Sequence, residues 1–181
     1  MHNDRLVKIS KYLSKHLRHR PERLSLEIVR GGWVSVDALL ASCAAHNFPL
    51  TRVELEEVVA RNDKQRFSFD ESGGRIRANQ GHSIDVDLEL SAAVSPPVLY
   101  HGTGERFVNL ILESGLQKMA RHHVHLSRDV ETARKLGARH GRPAVFAVDA
   151  ARMAEAGHEF YVSANGVWLA ESVPPRYLRL V

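Results

Sequence analysis

Five short stretches of the chain gather residue types that do chemistry rather than packing. They are Arg18-His19-Arg20-Pro21, then Asp63-Lys64-Gln65-Arg66-Phe67 with Asn79-Gln80-Gly81-His82-Ser83, then Tyr100-His101-Gly102-Thr103, then His123-Val124-His125-Leu126-Ser127, and last Ser163-Ala164-Asn165-Gly166-Val167-Trp168-Leu169. The first two are rich in arginine and lysine. A guanidinium stays charged and grips phosphate in a bidentate fork that lysine cannot copy, so arginines beside histidine fit phosphate chemistry. Taken singly, each arginine reads as a solvated charge, and Arg66 as the mark of an exposed strand edge. Their combination is what asks for a shared task. His122, His123 and His125 open a second chemistry, because histidines two apart share one side of a strand and zinc accepts imidazole. No acid or thiolate stands at ligand spacing from them, so no metal is expected.

Other classes drop out on composition. The single cysteine, Cys43, excludes an intrachain disulfide framework and any multi-thiolate zinc site. No apolar run approaches the ~20 residues that cross a bilayer, and the polar start lacks a signal peptide's apolar core. A soluble, cytoplasmic protein is the expectation, with nothing in the motifs demanding more than a monomer. A G-x-G-x-x-G fingerprint after a strand is absent, which argues against a Rossmann dehydrogenase. The net charge of +4 is unevenly spread: residues 1–30 hold eight Lys or Arg against three acids. An anionic partner would explain that face.

The elements that must position these islands are legible in outline. Leu6, Ile9, Leu13 and Leu17 recur at helical spacing, with Lys8, Lys11, Lys15 and Arg18 on the opposite face, and Pro21 ends the segment. Trp33–Val36 reads as a strand leading into a helix around Asp37–His46 with Ser35 as N-cap. Thr51-Arg52-Val53-Glu54 is a capping-box pattern that opens a third helix. Period-two alternation on both sides of Glu71-Ser72-Gly73-Gly74 predicts a hairpin over 66–78. Three helices and a terminal hairpin form a winged-helix pattern. A linker is expected over about 83–97, separating a lobe at 1–90 from one at 97–181. The second lobe carries short strands at 98–100, 123–126, 144–148, 159–163 and 167–169, and two helices, Glu105–Ser114 with Gly115 as C-cap and Asp129–His140. The fold class is α+β. Trp33 and Trp168 are expected as core anchors.

From Leu6 to Leu180 the order and spelling of the islands resemble the RNA 2′-phosphotransferases. That resemblance implies a winged-helix lobe followed by a mixed α/β lobe like the ADP-ribosyltransferases, with RNA and NAD⁺ in the cleft between them. It also implies a reaction. The RNA 2′-phosphate attacks the nicotinamide ribose and expels nicotinamide; the ribose 2″-hydroxyl then attacks phosphorus, leaving an RNA 2′-hydroxyl and ADP-ribose 1″,2″-cyclic phosphate. Charge developing on the phosphoryl oxygens calls for fixed cations there. By resemblance the catalytic tetrad falls on Arg18, His19, Arg66 and Arg139, with Arg134 and Arg142 as alternatives to the last. Lys64, Asn79 and His82 are expected to hold RNA phosphate. His101, Gly102 and Thr103, then His125 and Ser127, then Asn165 and Gly166 are expected along NAD⁺. Gly102 and Gly166 would let backbone approach the ligand. Val167 stands where protein-modifying relatives carry a glutamate, and none is needed when the nucleophile is already a phosphate. The substrate class implied is a tRNA-like RNA with an internal 2′-phosphate, as splicing generates.

Two rivals compete with that reading. One is transfer of ADP-ribose onto terminal phosphates of RNA or DNA, which has no use for three phosphate-clamping arginines. The other is a winged-helix regulator with a ligand-sensing lobe, which lacks an evident dimerisation helix.

Overall fold

The structure, a computed structural model, describes residues 2–62 and 64–181. Asp63, which opens the second island, lies outside the described residues. The chain divides into two compact units that meet between Glu89 and Leu90. Each combines helices with antiparallel strands, so the fold is mixed and of α+β character. No described helix is long and apolar enough to cross a membrane.

In the first unit, α1 (Asn3–Arg18) buries Leu6, Ile9, Leu13 and Leu17, the stripe its spacing predicts. It stops three residues before Pro21, where the His19 and Arg20 N–H groups both close onto the Lys15 carbonyl. β1 (Trp33–Ser35) runs into α2 (Val36–Ala45), whose first turn is capped by the Ser35 side chain accepting from the Ala38 N–H. α3 (Arg52–Ala60) opens on the full capping box: Thr51 accepts from the Glu54 N–H and Glu54 accepts from the Thr51 N–H. β2 (Phe67–Phe69) and β3 (Arg75–Ala78) form the hairpin, and β3 is the middle strand of a sheet ordered β1-β3-β2. Ile9, Leu13, Val36, Leu39, Leu55 and Ile76 meet in one core. Burying each such side chain contributes about 1.5–3 kcal/mol relative to leaving it in water.

Trp33 departs from its expected role. It sits half-buried on an edge strand outside that core, with the Arg77 and Arg75 guanidiniums 4.5 and 5.6 Å from its ring. An edge strand leaves one flank of the indole to solvent, and the two cations cover it.

The second unit is built around β4 (Val98–Gly104). After a 3₁₀ turn, α4 (Val108–Ser114) ends at Gly115, whose φ of +75° suits the glycine expected there. β5 (Leu116–Gln117) and β6 (Val124–Leu126) precede α5 (Val130–Gly137), capped by Asp129. Then follow β7 (Pro143–Asp149), α6 (Ala150–Glu155), β8 (Phe160–Val162), β9 (Trp168–Ala170), β10 (Ser172–Val173) and β11 (Leu178–Leu180). The strands form sheets ordered β11-β7-β4 and β6-β9-β8 and a β5-β10 pair. Paired N–H···O bonds between Tyr100 and Ser127 join β4 to the chain leaving β6. Leu99, Phe146, Met153, Phe160 and Trp168 form the core.

The helix expected over Asp129–His140 is α only to Gly137 and tightens to 3₁₀ at Ala138–His140. There it lies against β4 too closely for side chains. A Cβ on Gly137 would stand 2.7 Å from the Thr103 carbonyl oxygen, and one on Gly104 2.5 Å from that of His140.

Candidate active site

Three of the first unit's phosphate-type residues share one groove of about 620 Å³ running along α1. Arg18, Lys64 and Arg66 line it with Ser10 and Asn62. Arg18, grouped by spacing with the solvated lysines, is instead half-buried, while Lys8, Lys11 and Lys15 are exposed. Its guanidinium lies over Gly81, within 3.6 Å of where a Cβ would stand, and Gly81 holds a φ of +85° to make that turn.

Arg66 is held from behind. Its Nη1 donates to Asn62 Oδ1 at 3.3 Å and reaches Ser10 Oγ at 3.5 Å, while Asn62 Nδ2 donates to the same Ser10 Oγ at 3.0 Å. Asn62 Oδ1 also takes the Lys64 N–H at 3.1 Å. Ser10 and Asn62 are both only 6% exposed, so this network costs little entropy to hold and fixes the arginine's approach. Neither was among the expected site residues. The signal was present: Ser10 is a polar residue inside α1's buried stripe, and Asn62 adjoins the lysine-arginine island.

Asn79 and His82, expected to hold RNA phosphate, lie buried outside the residues that line the groove. They are 5% and 1% exposed. Asn79 Nδ2 donates to the Gln65 carbonyl at 2.6 Å and its N–H to the Arg66 carbonyl at 2.9 Å, which fixes the loop before β2. The His82 ring packs against Gly32. His19 is exposed at the end of α1, with Nδ1 2.8 Å from Ser83 Oγ. The Ser83 N–H bonds the Arg18 carbonyl, so the 79–83 segment is tied across the helix end.

In the second unit, His101, Gly102 and Thr103 follow one another on β4. His101 Nδ1 lies 3.0 Å from the His125 carbonyl oxygen. A carbonyl only accepts, so Nδ1 carries the proton and Nε2 presents a lone pair. Burial holds the His101 pKa below its ordinary value, and the neighbouring Arg121 and His140 push the same way against the His125 carbonyl. His125 projects from β6 with Arg121 Nη1 3.5 Å from its Nδ1. Ser127 is fixed through its backbone to Tyr100. Asn165 and Gly166 lie in the β8–β9 turn, which a buried Ser163 organises by donating to Asn165 Oδ1 at 2.6 Å and accepting from the Val167 N–H at 3.1 Å. Gly166 has a φ of +77° and open space around it. The missing Cβ of Gly102 serves another end: it would stand 1.6 Å from the Ala133 carbonyl oxygen, so α5, not a ligand, uses that space. Among the described residues no group of three His, Cys, Asp or Glu converges to hold a metal.

Burial also lowers the pKa of His16 and His123. With three histidines depressed below the ordinary 6.5, the unfolded chain takes up protons first as pH falls. Their stability contribution is complete above about pH 6.5 and erodes from there down through the folded-state values. Glu54 and Asp70 are held low by their Arg5 and Arg75 partners, Asp70 at about 2, and stay ionised over that window. A melting temperature lower at about pH 5.5 than at about 7.5 is therefore expected. An equal or higher one would contradict the neutral histidines.

The arrangement can grip phosphate in one unit, and the other carries a neutral imidazole on an edge strand. Residues 4–172 match the family described as RNA 2'-phosphotransferase, Tpt1 / KptA family. The chain is 61% identical to a probable RNA 2'-phosphotransferase of Trichormus variabilis, covering 100% of both chains. It is also 61% identical to one of Streptomyces coelicolor, over 99% of this chain and 97% of that one. For one of Herpetosiphon aurantiacus the figures are 53% identity and 99% of each. With its groove arginines inside so long a match, the chain belongs to the RNA 2′-phosphotransferase family.

Proposed function

We propose that NAD⁺ accepts the 2′-phosphate that this transferase takes from RNA, by way of an ADP-ribosylated RNA 2′-phosphate. In the first step a phosphate oxygen bonds the anomeric carbon of the nicotinamide ribose and the carbon–nitrogen bond breaks, releasing nicotinamide. In the second, the ribose 2″-oxygen bonds phosphorus, the RNA 2′-oxygen leaves and takes a proton, and the phosphate departs on ADP-ribose as a 1″,2″-cyclic ester. The observation that carries this reading is the braced guanidinium of Arg66 in a groove shared with Arg18 and Lys64.

Arg18 and Arg66 stabilise charge on the phosphoryl oxygens, and because Ser10 and Asn62 hold Arg66 beforehand, little reorganisation is needed when that charge develops. His19, engaged through Nδ1 with Ser83, supplies a hydrogen bond or proton to the phosphate. Asn79 acts from beneath, by holding the loop that bears Lys64 and Arg66. Arg139 is assigned as the fourth member. It is exposed, and among the described residues no acid pairs with it, whereas Arg142 Nε faces Glu105 at 3.6 Å.

Along NAD⁺, His101 offers an acceptor at Nε2 and Gly102 a backbone edge. Gly102 lies opposite Val145 as Tyr100 lies opposite Ala147. Antiparallel ladders alternate with period two, so the Gly102 N–H and carbonyl point the way those of Tyr100 do, away from β7. That direction, and the open turn at Gly166, support places for ribose and nicotinamide with Thr103, His125, Ser127 and Asn165 alongside. The first unit's three helices and hairpin support a winged-helix assignment, and the small antiparallel sheets of the second an ADP-ribosyltransferase-like one.

Incubating the protein with NAD⁺ and an oligonucleotide bearing one internal 2′-phosphate tests the whole scheme. Nicotinamide release matched by loss of that phosphate is expected. Phosphate loss without NAD⁺, or ADP-ribose left on terminal phosphates, would overturn it. Asn62→Ala removes the brace and keeps the cation. Turnover should fall about tenfold or more with KM little changed, since one charge-assisted bond contributes about 1.5–3 kcal/mol. Unchanged turnover would remove Asn62 from the machinery.

A further inference from the structure

The groove along α1 is longer than the reacting phosphate requires. Its lining on that helix runs from Asn3 through Lys11 and Ser14 to Arg18, a rise of about 22 Å at ~1.5 Å per residue. One stacked nucleotide step takes about 3.4 Å of strand. Arg18 marks the C-terminal end, and Arg66 meets the helix at Ser10. Helical side chains lean toward the N-terminus, so Lys11 points into the remaining half; Arg61, at the C-cap of α3, lines the same groove. Arg61 spends one donor on Glu57, at 2.6 Å, of the five a guanidinium has. Among the described lining residues five are cations and none is an acid.

We propose that this N-terminal half of the groove is a strand subsite, taking the sugar–phosphate backbone of RNA next to the nucleotide that bears the 2′-phosphate. Lys11 and Arg61 contact backbone phosphates, and Asn3 adds a neutral donor. Such contacts position a strand without reading its bases, so the length of flanking RNA, not its sequence, governs affinity. The inference rests on the reading that Arg18 and Arg66 hold the 2′-phosphate. It also separates the lysines of α1: Lys8 is exposed and lies outside the groove lining, although its charge equals that of Lys11.

The test compares a 2′-phosphorylated dinucleotide with the same dinucleotide embedded in a longer single strand. Anisotropy binding of the unphosphorylated strand without NAD⁺ stands beside it, so failure of the transfer chemistry and failure of the subsite are told apart. In Lys11→Glu with Arg61→Ala, the KM for the longer substrate should rise about tenfold relative to that for the dinucleotide, and the salt slope of strand binding should fall by about 1.4, two contacts' worth. Lys11→Gln, which keeps the helix and removes one of the two contacts, should show about half of that rise on a logarithmic scale, about threefold. Lys8→Glu should move neither measurement. Equal effects of Lys8→Glu and Lys11→Glu would reduce the subsite to a diffuse field and overturn it, as would strand binding unchanged in the double variant or an equal loss on both substrates.

Discussion

Arg66→Ala should leave nicotinamide release running while ADP-ribosylated RNA accumulates. On the proposed route the first step asks little of this cation, because the phosphate is already an anion and the bond that breaks lies on the sugar. The second step concentrates charge on the phosphoryl oxygens as phosphorus is attacked. Removing one preorganised donor from such a position costs about 10²–10³-fold in rate. Folding should hardly notice, since the Lys64 N–H and the Ser10 hydroxyl still occupy Asn62. Arg66→Lys keeps the charge and loses the fork, so it should recover only part of the second step. Resolving the RNA species by gel over a single turnover checks this. Normal conversion to a 2′-hydroxyl, or an equal slowing of both steps, would take Arg66 out of its assigned role.

That result would bear on a residue that the sequence singles out but whose support it does not show. The helical stripe of α1, the Ser35 cap, the capping box at Thr51 and the hairpin ending at Ala78 each rest on interactions within a few residues, and local chemistry encodes them. The brace on Arg66 does not work that way: Asn62 and Ser10 are 52 residues apart, and nothing but the tertiary fold pairs them. The same limit explains the missed elements. β5 and β10 have two residues each and β11 three, too short for alternation to register, and α6 spans six. It explains Trp33 as well, since whether a tryptophan anchors a core or caps an edge depends on which strand ends the sheet.

Gly102 shows how a glycine expected beside a ligand can be required by packing, and its replacement should have the largest effect on stability. A glycine among His101 and Thr103 reads as room for a ligand. The room is filled by α5: a Cβ there would stand 1.6 Å from the Ala133 carbonyl oxygen, 2.5 Å from its carbon and 3.0 Å from the Gly137 nitrogen. These are backbone atoms in a hydrogen-bonded helix, so no side-chain rotation relieves the clash and α5 must move off β4. Overpacking a core that can adjust costs about 1–3 kcal/mol. With backbone in the way, Gly102→Ala should reach or exceed the upper end and lower the melting temperature by about 10 °C or more. Gly166→Ala is the contrast. Its added methyl meets nothing within 4 Å, and the cost is about 1–2 kcal/mol for a left-handed residue. If Gly166 flanks the nicotinamide ribose, that variant melts within a few degrees of the wild type and loses affinity for NAD⁺ first. A Gly102→Ala protein that melts like the wild type would mean that α5 does not rest on β4 as described. One that keeps its NAD⁺ affinity in the folded fraction would confine the residue's role to packing and leave its backbone edge, pointing away from β7, without a ligand.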